Sequence, residues 1–293
     1  MTSRQALVGN ARSSAGKARR WALSFVNLPF VLPLLILILL AFDWPLLQAL
    51  SWSLREPKTH AFTFQQYVEF FDSRIYIAII WRTFVIAGIV TGVTALLAYP
   101  LALWLTRLRA RWQVIAICGV VVPFWVSILV RTYAWIVILG NGGIVNRWLL
   151  DLALVQKPVS FLYNEFGVTL GMVNVLLPFL VLPLYAAMLK VDRRLLAVAQ
   201  TLGARDHTVF WKVFFPVTVP ALVASMILVF ILALGFYVTP AILGGGKVPM
   251  VANMMDLMIN RFHRWEMAAT VAIMLLLVTL AFYGLYQWFR RRM

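Results

Sequence analysis

The sequence predicts an all-α membrane protein with six transmembrane helices and both termini in the cytoplasm. Of its 293 residues, 63% are apolar and 12% are charged, whereas a soluble domain is typically about 45–50% apolar and about 25% charged. So few charges cannot cover a soluble globule. A helix needs roughly 20 mostly apolar residues to cross the hydrocarbon layer. The segments that meet this condition are about 25–42, 76–103, 114–139, 166–189, 220–243 and 266–288.

The first predicted span defines the domain boundaries. It follows a basic segment, as the apolar region of a signal peptide would, but no Ala-x-Ala-like cleavage site precedes Asp43. We therefore expect a retained helix. This gives a basic cytoplasmic tail over 1–24, a transmembrane domain over 25–288 and a short cytoplasmic tail over 289–293.

The distribution of basic residues predicts the orientation in the membrane. With six spans both termini lie on one side, and that side carries 16 of the Lys and Arg residues against two acidic residues. The opposite side carries eight basic and eight acidic residues. Cytoplasmic loops are enriched in Lys and Arg, so the formal charge of +16 indicates topology. A nucleic-acid partner is not expected, whereas lipid is.

Two further arginines, Arg82 and Arg131, fall inside predicted spans. A charge within the membrane usually faces a bundle interior or water, which would make them path or subunit-interface residues. Alternatively, each lies close enough to the outer surface for its long side chain to reach water. The sequence leaves both interpretations open.

Catalytic and metal-binding patterns are missing from the sequence. The three histidines are far apart, the single cysteine lies in an apolar run, and no acidic pair occurs within a span. Gly244-Gly245-Gly246-Lys247 is interpreted as a turn, because Val248 stands where a phosphate loop needs Ser or Thr. We expect a transport conduit that is not an enzyme and binds no metal or cofactor itself. An ion-coupled transporter is the alternative, although such proteins usually contain intramembrane acids.

The loop 190–215 contains the most informative pattern. Residues 195–202 favour a short helix, and Gly203 can end it in a left-handed conformation. Asp206 then suits the N-cap of a second short helix, which is expected to stop at Pro216. The loop is either a simple connector or a docking element for a cytoplasmic partner.

This loop resembles the EAA loop of ABC-transporter permease subunits. The matching residues, in order and spacing, are Leu202-Gly203-Ala204, Phe210, Val213, Phe215-Pro216 and Pro220. Three positions depart from the family pattern: Ala197 replaces the usual Glu, Val198 the following Ala, and Ala221 the final Gly. The resemblance implies the fold of type I ABC importer permeases and a contact with an ATPase. The residues that it assigns to this contact and its turn are Ala197, Leu202, Gly203, Ala204, Asp206, Phe210 and Pro216.

Three further segments resemble the spermidine/putrescine branch of these permeases. They are Phe161–Gly167, Leu182–Tyr185 and Gly235–Pro240. The resemblance implies a multi-pass protein of the bacterial inner membrane that imports polyamines. Permeases for opines, phosphonates and related small solutes have similar motifs, so those substrates remain an alternative.

The same resemblance implies the partners and the place of the substrate path. A second permease subunit, two ATPase subunits that bind ATP and Mg, and a periplasmic substrate-binding protein complete such a transporter. The path lies between the two permeases. Candidate path residues are Phe236, Tyr237, Thr239 and Asn174, because aromatic rings can hold an organic ammonium and a buried amide in lipid needs a partner. The two aromatic residues could instead pack against neighbouring helices.

Overall fold

The computed structural model describes residues 28–56 and 61–292. These residues are helical apart from connecting segments, and their extended pairing is limited to one bridge between Arg55 and Phe62. The predicted tail 1–24 lies outside the described residues. In chain order the helices are α1 (Leu28–Ile38), α2 (Trp44–Ser53), α3 (Gln65–Asp72), α4 (Arg74–Arg107), α5 (Ala110–Trp125), α6 (Ile128–Leu139), α7 (Ile144–Asp151), α8 (Glu165–Leu189), α9 (Arg193–Thr201), α10 (Asp206–Val209), α11 (Phe215–Leu234), α12 (Val238–Leu243), α13 (Val251–Asn260) and α14 (Trp265–Arg292).

Six helical segments of the described chain are long and apolar enough to cross a membrane, which confirms the predicted fold class. They are Leu32–Ser53, Arg74–Arg107, Ile128–Asp151, Glu165–Leu189, Asp206–Leu234 and Trp265–Gly284. The first helix extends well beyond the predicted end at residue 42. A π-helical turn at Leu39–Asp43 joins α1 to α2 directly before Pro45, so the charge of Asp43 does not end the helix.

The predicted third span, 114–139, is interrupted. α5 ends at Trp125 and α6 begins at Ile128, and Val126 between them has extended backbone with φ −77° and ψ 133°. Pro123 weakens the end of α5, because it lacks the N–H that would bond to the carbonyl four residues earlier. The chain therefore forms two helices here, and the apolar segment long enough to span the membrane is Ile128–Asp151 instead of 114–139.

The prediction that the loop helix stops at Pro216 is wrong. A second π-helical turn, Phe210–Phe214, joins α10 to α11, and the Phe215 N–H donates to the carbonyl of Phe210 five residues earlier. This wider turn accommodates the proline, which cannot donate to the helix and would crowd a regular turn. As a result α10 and α11 form one helical segment, Asp206–Leu234, which ends before the predicted fifth-span boundary at 243.

The main core lies between α4, α8 and α11. Each contributes fully or almost fully buried apolar side chains, among them Ile86, Val90, Leu105, Met172, Leu176, Leu180, Leu184, Val229 and Ala233. Ala98 and Ala102 of α4 are also completely buried, and such small residues allow helix backbones to approach closely in a membrane. The three helices therefore form the scaffold on which the remaining segments are placed.

A second buried cluster holds α13 against α14. Its members are Phe70, Val251, Met258, Met267, Ala268 and Val271. The N–H of Val251 donates to Oγ1 of the buried Thr83 in α4 over 3.0 Å, which attaches the start of α13 to the main scaffold. α2 also packs against α14, where the rings of Trp52 and Trp265 lie edge to face at 5.6 Å.

Candidate functional site

The turn after α9 is built around Gly203. This residue has φ +85°, a left-handed conformation that favours glycine. Its N–H donates to the carbonyl of Gln200 over 2.9 Å, and the N–H of Ala204 donates to that of Ala199 over 3.1 Å. This pair of bonds is the Schellman motif. The left-handed end expected from the sequence is therefore present, and it sets the angle at which the chain enters α10.

Asp206 stabilises the turn differently from the N-cap role that the sequence predicts. The N-cap of α10 is Arg205, whose side chain makes no capping bond, so the predicted N-cap is wrong. Asp206 is the first residue of α10, and its Oδ1 accepts a 3.0 Å hydrogen bond from Nε2 of Gln200 in α9. The carboxylate thus connects the two short helices across the glycine turn.

A cavity of about 770 Å³ opens between these short helices and the adjoining ends of α4 and α8. Ala197, Asp206 and Phe210 line it, together with the basic residues Arg107 and Arg109. Outside the cavity, the Leu202 side chain is 82% exposed at the turn. The loop therefore presents an exposed apolar tip beside a concave, basic surface.

Phe210 ties the loop to the scaffold. Its half-buried ring lies 6.2 Å from that of Tyr99 in α4 and 6.1 Å from that of Phe214. The hydroxyls of Tyr99 and Thr218 are 2.9 Å apart and share a hydrogen bond. The start of the 206–234 segment is thereby packed against α4.

The segment Asp206–Leu234 connects the loop with the predicted substrate path. It has 29 residues, which corresponds to about 43 Å at the rise of an α-helix. The helix ends at Leu234, and α12 begins only at Val238. The helix is therefore interrupted at Gly235, Phe236 and Tyr237, shortly before Pro240.

Phe236 lines a second cavity, of about 370 Å³, next to the interruption between α5 and α6. Its other lining residues include Phe124, Trp125, Phe179 and Arg131. The Nε atom of Arg131 is buried and has no hydrogen-bond partner among the described residues. This cavity is therefore surrounded by three phenylalanines, a tryptophan and one cationic side chain. It can accept a group that is apolar or that binds to aromatic rings.

The remaining predicted path residues lie in different environments. Thr239 is fully buried, and its methyl group packs against the backbone of Gly171 in α8. Asn174 is exposed on α8. The structure therefore brings Phe236 and Tyr237 together at the helix interruption but places Thr239 in the core.

Tyr237 contacts a group of polar residues on α13 that the sequence analysis missed. The carboxylate of Asp256 interacts with the Tyr237 hydroxyl and raises the pKa of Tyr237. Asn260 donates to Oδ1 of the same carboxylate over 2.6 Å, and Asn253 donates to the backbone carbonyl of Tyr237 over 3.0 Å. The three side chains follow helical spacing along α13, and recognising that short helix in the sequence would have revealed them.

The charged residues near the predicted outer surface form two ion pairs. Arg82 Nε lies 3.5 Å from Glu165 Oε1, which joins α4 to the start of α8. Arg264 Nη2 lies 2.6 Å from Glu69 Oε2, and this hydrogen bond raises the pKa of Arg264. Both pairs are partly exposed, so each is expected to contribute at most about 1 kcal/mol.

These features define a class of protein: a helical membrane protein with an interruption after its fifth membrane helix and a glycine-centred loop before that helix. No group of three metal-ligating side chains occurs in the described part of the chain. Residues 88–293 match the family of binding-protein-dependent transport system inner membrane components. The chain belongs to this family and is an inner-membrane permease subunit of an ABC importer, not the subunit that hydrolyses ATP.

Relatives with assigned names support this membership. The chain is 34% identical over 222 residues to the spermidine/putrescine transport system permease protein PotB of Haemophilus influenzae, a match that covers 75% of this chain and 77% of the relative. It is 30% identical to PotB of Escherichia coli over 74% of this chain and 78% of the relative. It is also 30% identical to the putative 2-aminoethylphosphonate transport system permease protein PhnU of Salmonella typhimurium, covering 89% and 90%.

Solved structures show the same fold. A bacterial ABC transporter involved in the import of the acidic polysaccharide alginate matches with a TM-score of 0.70 at 18% identity, covering 96% of this chain and 99% of that chain. The alginate transporter in complex with a periplasmic protein that binds an alginate pentasaccharide matches with a TM-score of 0.69, also at 18% identity, covering 90% and 92%. At this identity the likeness concerns the fold alone.

Proposed function

We propose that this chain forms half of the path of a polyamine importer and that the loop 190–215 couples it to a cytoplasmic ATPase. A second permease subunit would complete the path. Two ATPase subunits would bind ATP and Mg, and a periplasmic binding protein would deliver the solute. The family membership gives the class of transporter, and this proposal adds the substrate and the roles of particular residues.

The observation that carries the coupling proposal is the continuous helical segment Asp206–Leu234. Its loop end follows the glycine turn and the exposed Leu202, and its other end adjoins Phe236 and Tyr237. A stiff helix transmits a displacement along its length, whereas a flexible linker absorbs it. Movement of the loop by the ATPase would therefore shift the interruption at the predicted path.

The loop offers two kinds of contact to an ATPase. Leu202 supplies an exposed apolar side chain, and the cavity beside it is flanked by Arg107 and Arg109. Ala197 lines this cavity in place of the glutamate usual in the family. We therefore expect the attachment to depend on apolar packing and the shape of the turn rather than on a salt bridge from position 197.

The polyamine assignment rests on the two PotB relatives and on the aromatic residues of the predicted path. Phe236 lies beside Phe124, Trp125 and Phe179 around the 370 Å³ cavity. Aromatic faces attract ammonium groups by about 0.5–2 kcal/mol each. A flexible chain that carries several ammonium groups fits such a lining better than a bulky neutral solute does.

A second candidate is a solute that carries both an ammonium and an anionic group. Arg131 favours it, because this cation lines the aromatic cavity and its buried Nε lacks a partner among the described residues. A guanidinium binds phosphonate or carboxylate groups well. The relative PhnU bears the name of a 2-aminoethylphosphonate system, and that solute has both groups.

Uptake by the reconstituted transporter tests the proposal. The chain would be purified with the permease, ATPase and binding protein that accompany it and placed in proteoliposomes. We expect ATP-dependent uptake of radiolabelled putrescine or spermidine, and none with a non-hydrolysable ATP analogue. Uptake of 2-aminoethylphosphonate without polyamine uptake would support the second candidate. Uptake that needs no ATPase would contradict the coupling role.

A further inference from the structure

We propose that Asp256, held in place by Asn260 beside Tyr237, binds a primary ammonium group of the solute where it enters the path. This inference rests on the proposed transport of a solute with an ammonium group, which both candidate substrates have. It assigns the recognition of the solute's positive charge to a residue of α13, rather than to the aromatic residues that the sequence indicates.

The geometry of the carboxylate suits this task. Asn260 donates to Oδ1 over 2.6 Å, and the Tyr237 hydroxyl lies near enough for the carboxylate to raise the pKa of Tyr237. Both partners are neutral, so the negative charge of Asp256 is oriented without being cancelled. Among the residues that the structure describes, no cationic side chain forms an ion pair with this carboxylate. A cation that arrives at the site can therefore pair with an uncompensated charge.

The position of the group also fits an entrance to the path. Asn253 donates to the backbone carbonyl of Tyr237 over 3.0 Å, which fixes the polar group to the helix interruption. The preceding residue, Phe236, lines the aromatic cavity. Asp256 is half-buried, and the Tyr237 ring is 41% exposed. An ammonium at Asp256 would thus lie beside an accessible aromatic ring, and the residue that precedes this ring in the chain lines the cavity.

The site stands on a rigid support. α13 begins at the hydrogen bond from Val251 to Thr83 of α4, and Val251 and Met258 are buried in the second core cluster. One face of this helix is therefore fixed to α4 and α14, while the face with Asp256 meets the interruption that ends the Asp206–Leu234 segment. A displacement of that segment would change the distance between Tyr237 and Asp256, so that binding and release of the cation would depend on the ATPase.

The test is uptake of radiolabelled putrescine by the full transporter at a saturating concentration of loaded binding protein. Asp256→Asn keeps the size of the side chain and removes its charge, and we expect the uptake rate to fall roughly five- to tenfold. Asp256→Glu restores the charge and is expected to recover most of the rate. Tyr237→Phe, which removes the hydroxyl that interacts with the carboxylate, should have a smaller effect of about twofold. Asp151→Asn on α7, an exposed carboxylate of the predicted outer side, serves as the control for loss of a negative charge elsewhere.

The outcomes separate this inference from the proposed function. Rates are expressed per amount of assembled transporter, so that a loss of folding is not counted as a loss of recognition. Equal uptake by the wild type and Asp256→Asn would overturn the role of Asp256 and leave the proposed function intact. Reduced uptake that Asp256→Glu fails to recover would also overturn it. A wild type that imports neither polyamines nor 2-aminoethylphosphonate would overturn the proposed function and this inference together.

Discussion

The backbone of Gly171 in α8 lies directly against the side chain of Thr239 in α12. A Cβ atom at position 171 would lie 2.5 Å from Cγ2 of Thr239 and 2.5 Å from Cδ1 of Leu243. This close approach holds the short helix that follows the interruption after Leu234. It also explains why Thr239, a candidate path residue by sequence, is buried in the core.

Gly171→Ala is therefore expected to destabilise the protein by about 1–3 kcal/mol, since an added methyl group overpacks this contact. The measurement is thermal unfolding of the purified chain in detergent. Gly88→Ala in α4 is the matched control, because a Cβ there meets nothing within 4 Å. The control should be neutral or slightly stabilising, and equal behaviour of the two variants would contradict the contact.

Thr239→Val is expected to leave uptake and stability unchanged or to raise stability slightly. The Thr239 hydroxyl is buried without a hydrogen-bond partner in the described part of the chain, and replacing such a group by an apolar one of the same shape removes a cost. Uptake and thermal unfolding are measured on the same preparation. A loss of uptake with normal unfolding would mean that the hydroxyl contacts the solute after all.

Gly203→Val is expected to leave the membrane helices inserted but to weaken ATPase attachment or uncouple hydrolysis from uptake. A β-branched residue at φ +85° is strained by roughly 1–3 kcal/mol, and relief of this strain would reorient α10. Pull-down of the ATPase together with uptake measures the effect. Gly203→Asn is the control, because asparagine tolerates the left-handed conformation better. Normal attachment and uptake in Gly203→Val would show that the loop is only a connector.

The predicted orientation can be checked by cysteine labelling from either side of the membrane. The natural Cys118 is first replaced by serine, and single cysteines are then introduced by Arg109→Cys and Asp151→Cys. A membrane-impermeant reagent should label position 109 only from the cytoplasmic side and position 151 only from the outside. The reverse pattern would invert the whole topology.

Arg131→Gln distinguishes the two candidate substrates. If the solute is a polyamine, the guanidinium repels it, and uptake should be retained or increased by up to about twofold. If the solute carries a phosphonate, loss of the charged hydrogen bonds should reduce uptake at least about tenfold. Arg147→Gln, at an exposed position on α7, controls for general loss of charge. A strong loss of polyamine uptake would show that Arg131 pairs with a group that transport requires.

The sequence alone determined the features that depend on local chemistry. Crossing the hydrocarbon layer requires a run of apolar residues, so composition located the membrane helices and the basic residues indicated their orientation. The left-handed end at Gly203 was also predictable, since it depends on the absence of a Cβ atom at one position. Helix ends were less certain, because the π turns before Pro45 and Pro216 accommodate prolines that would otherwise stop a helix.

Only the tertiary structure decided which side chains meet. Thr239 and Tyr237 are two residues apart, yet the close approach of Gly171 buries Thr239, while Tyr237 remains exposed and reaches Asp256. The partner of Tyr237 lies on a separate helix whose position is fixed by Thr83 and by packing on α14. Such contacts depend on the packing of helices that are distant in sequence, and neither hydropathy nor residue spacing contains that information.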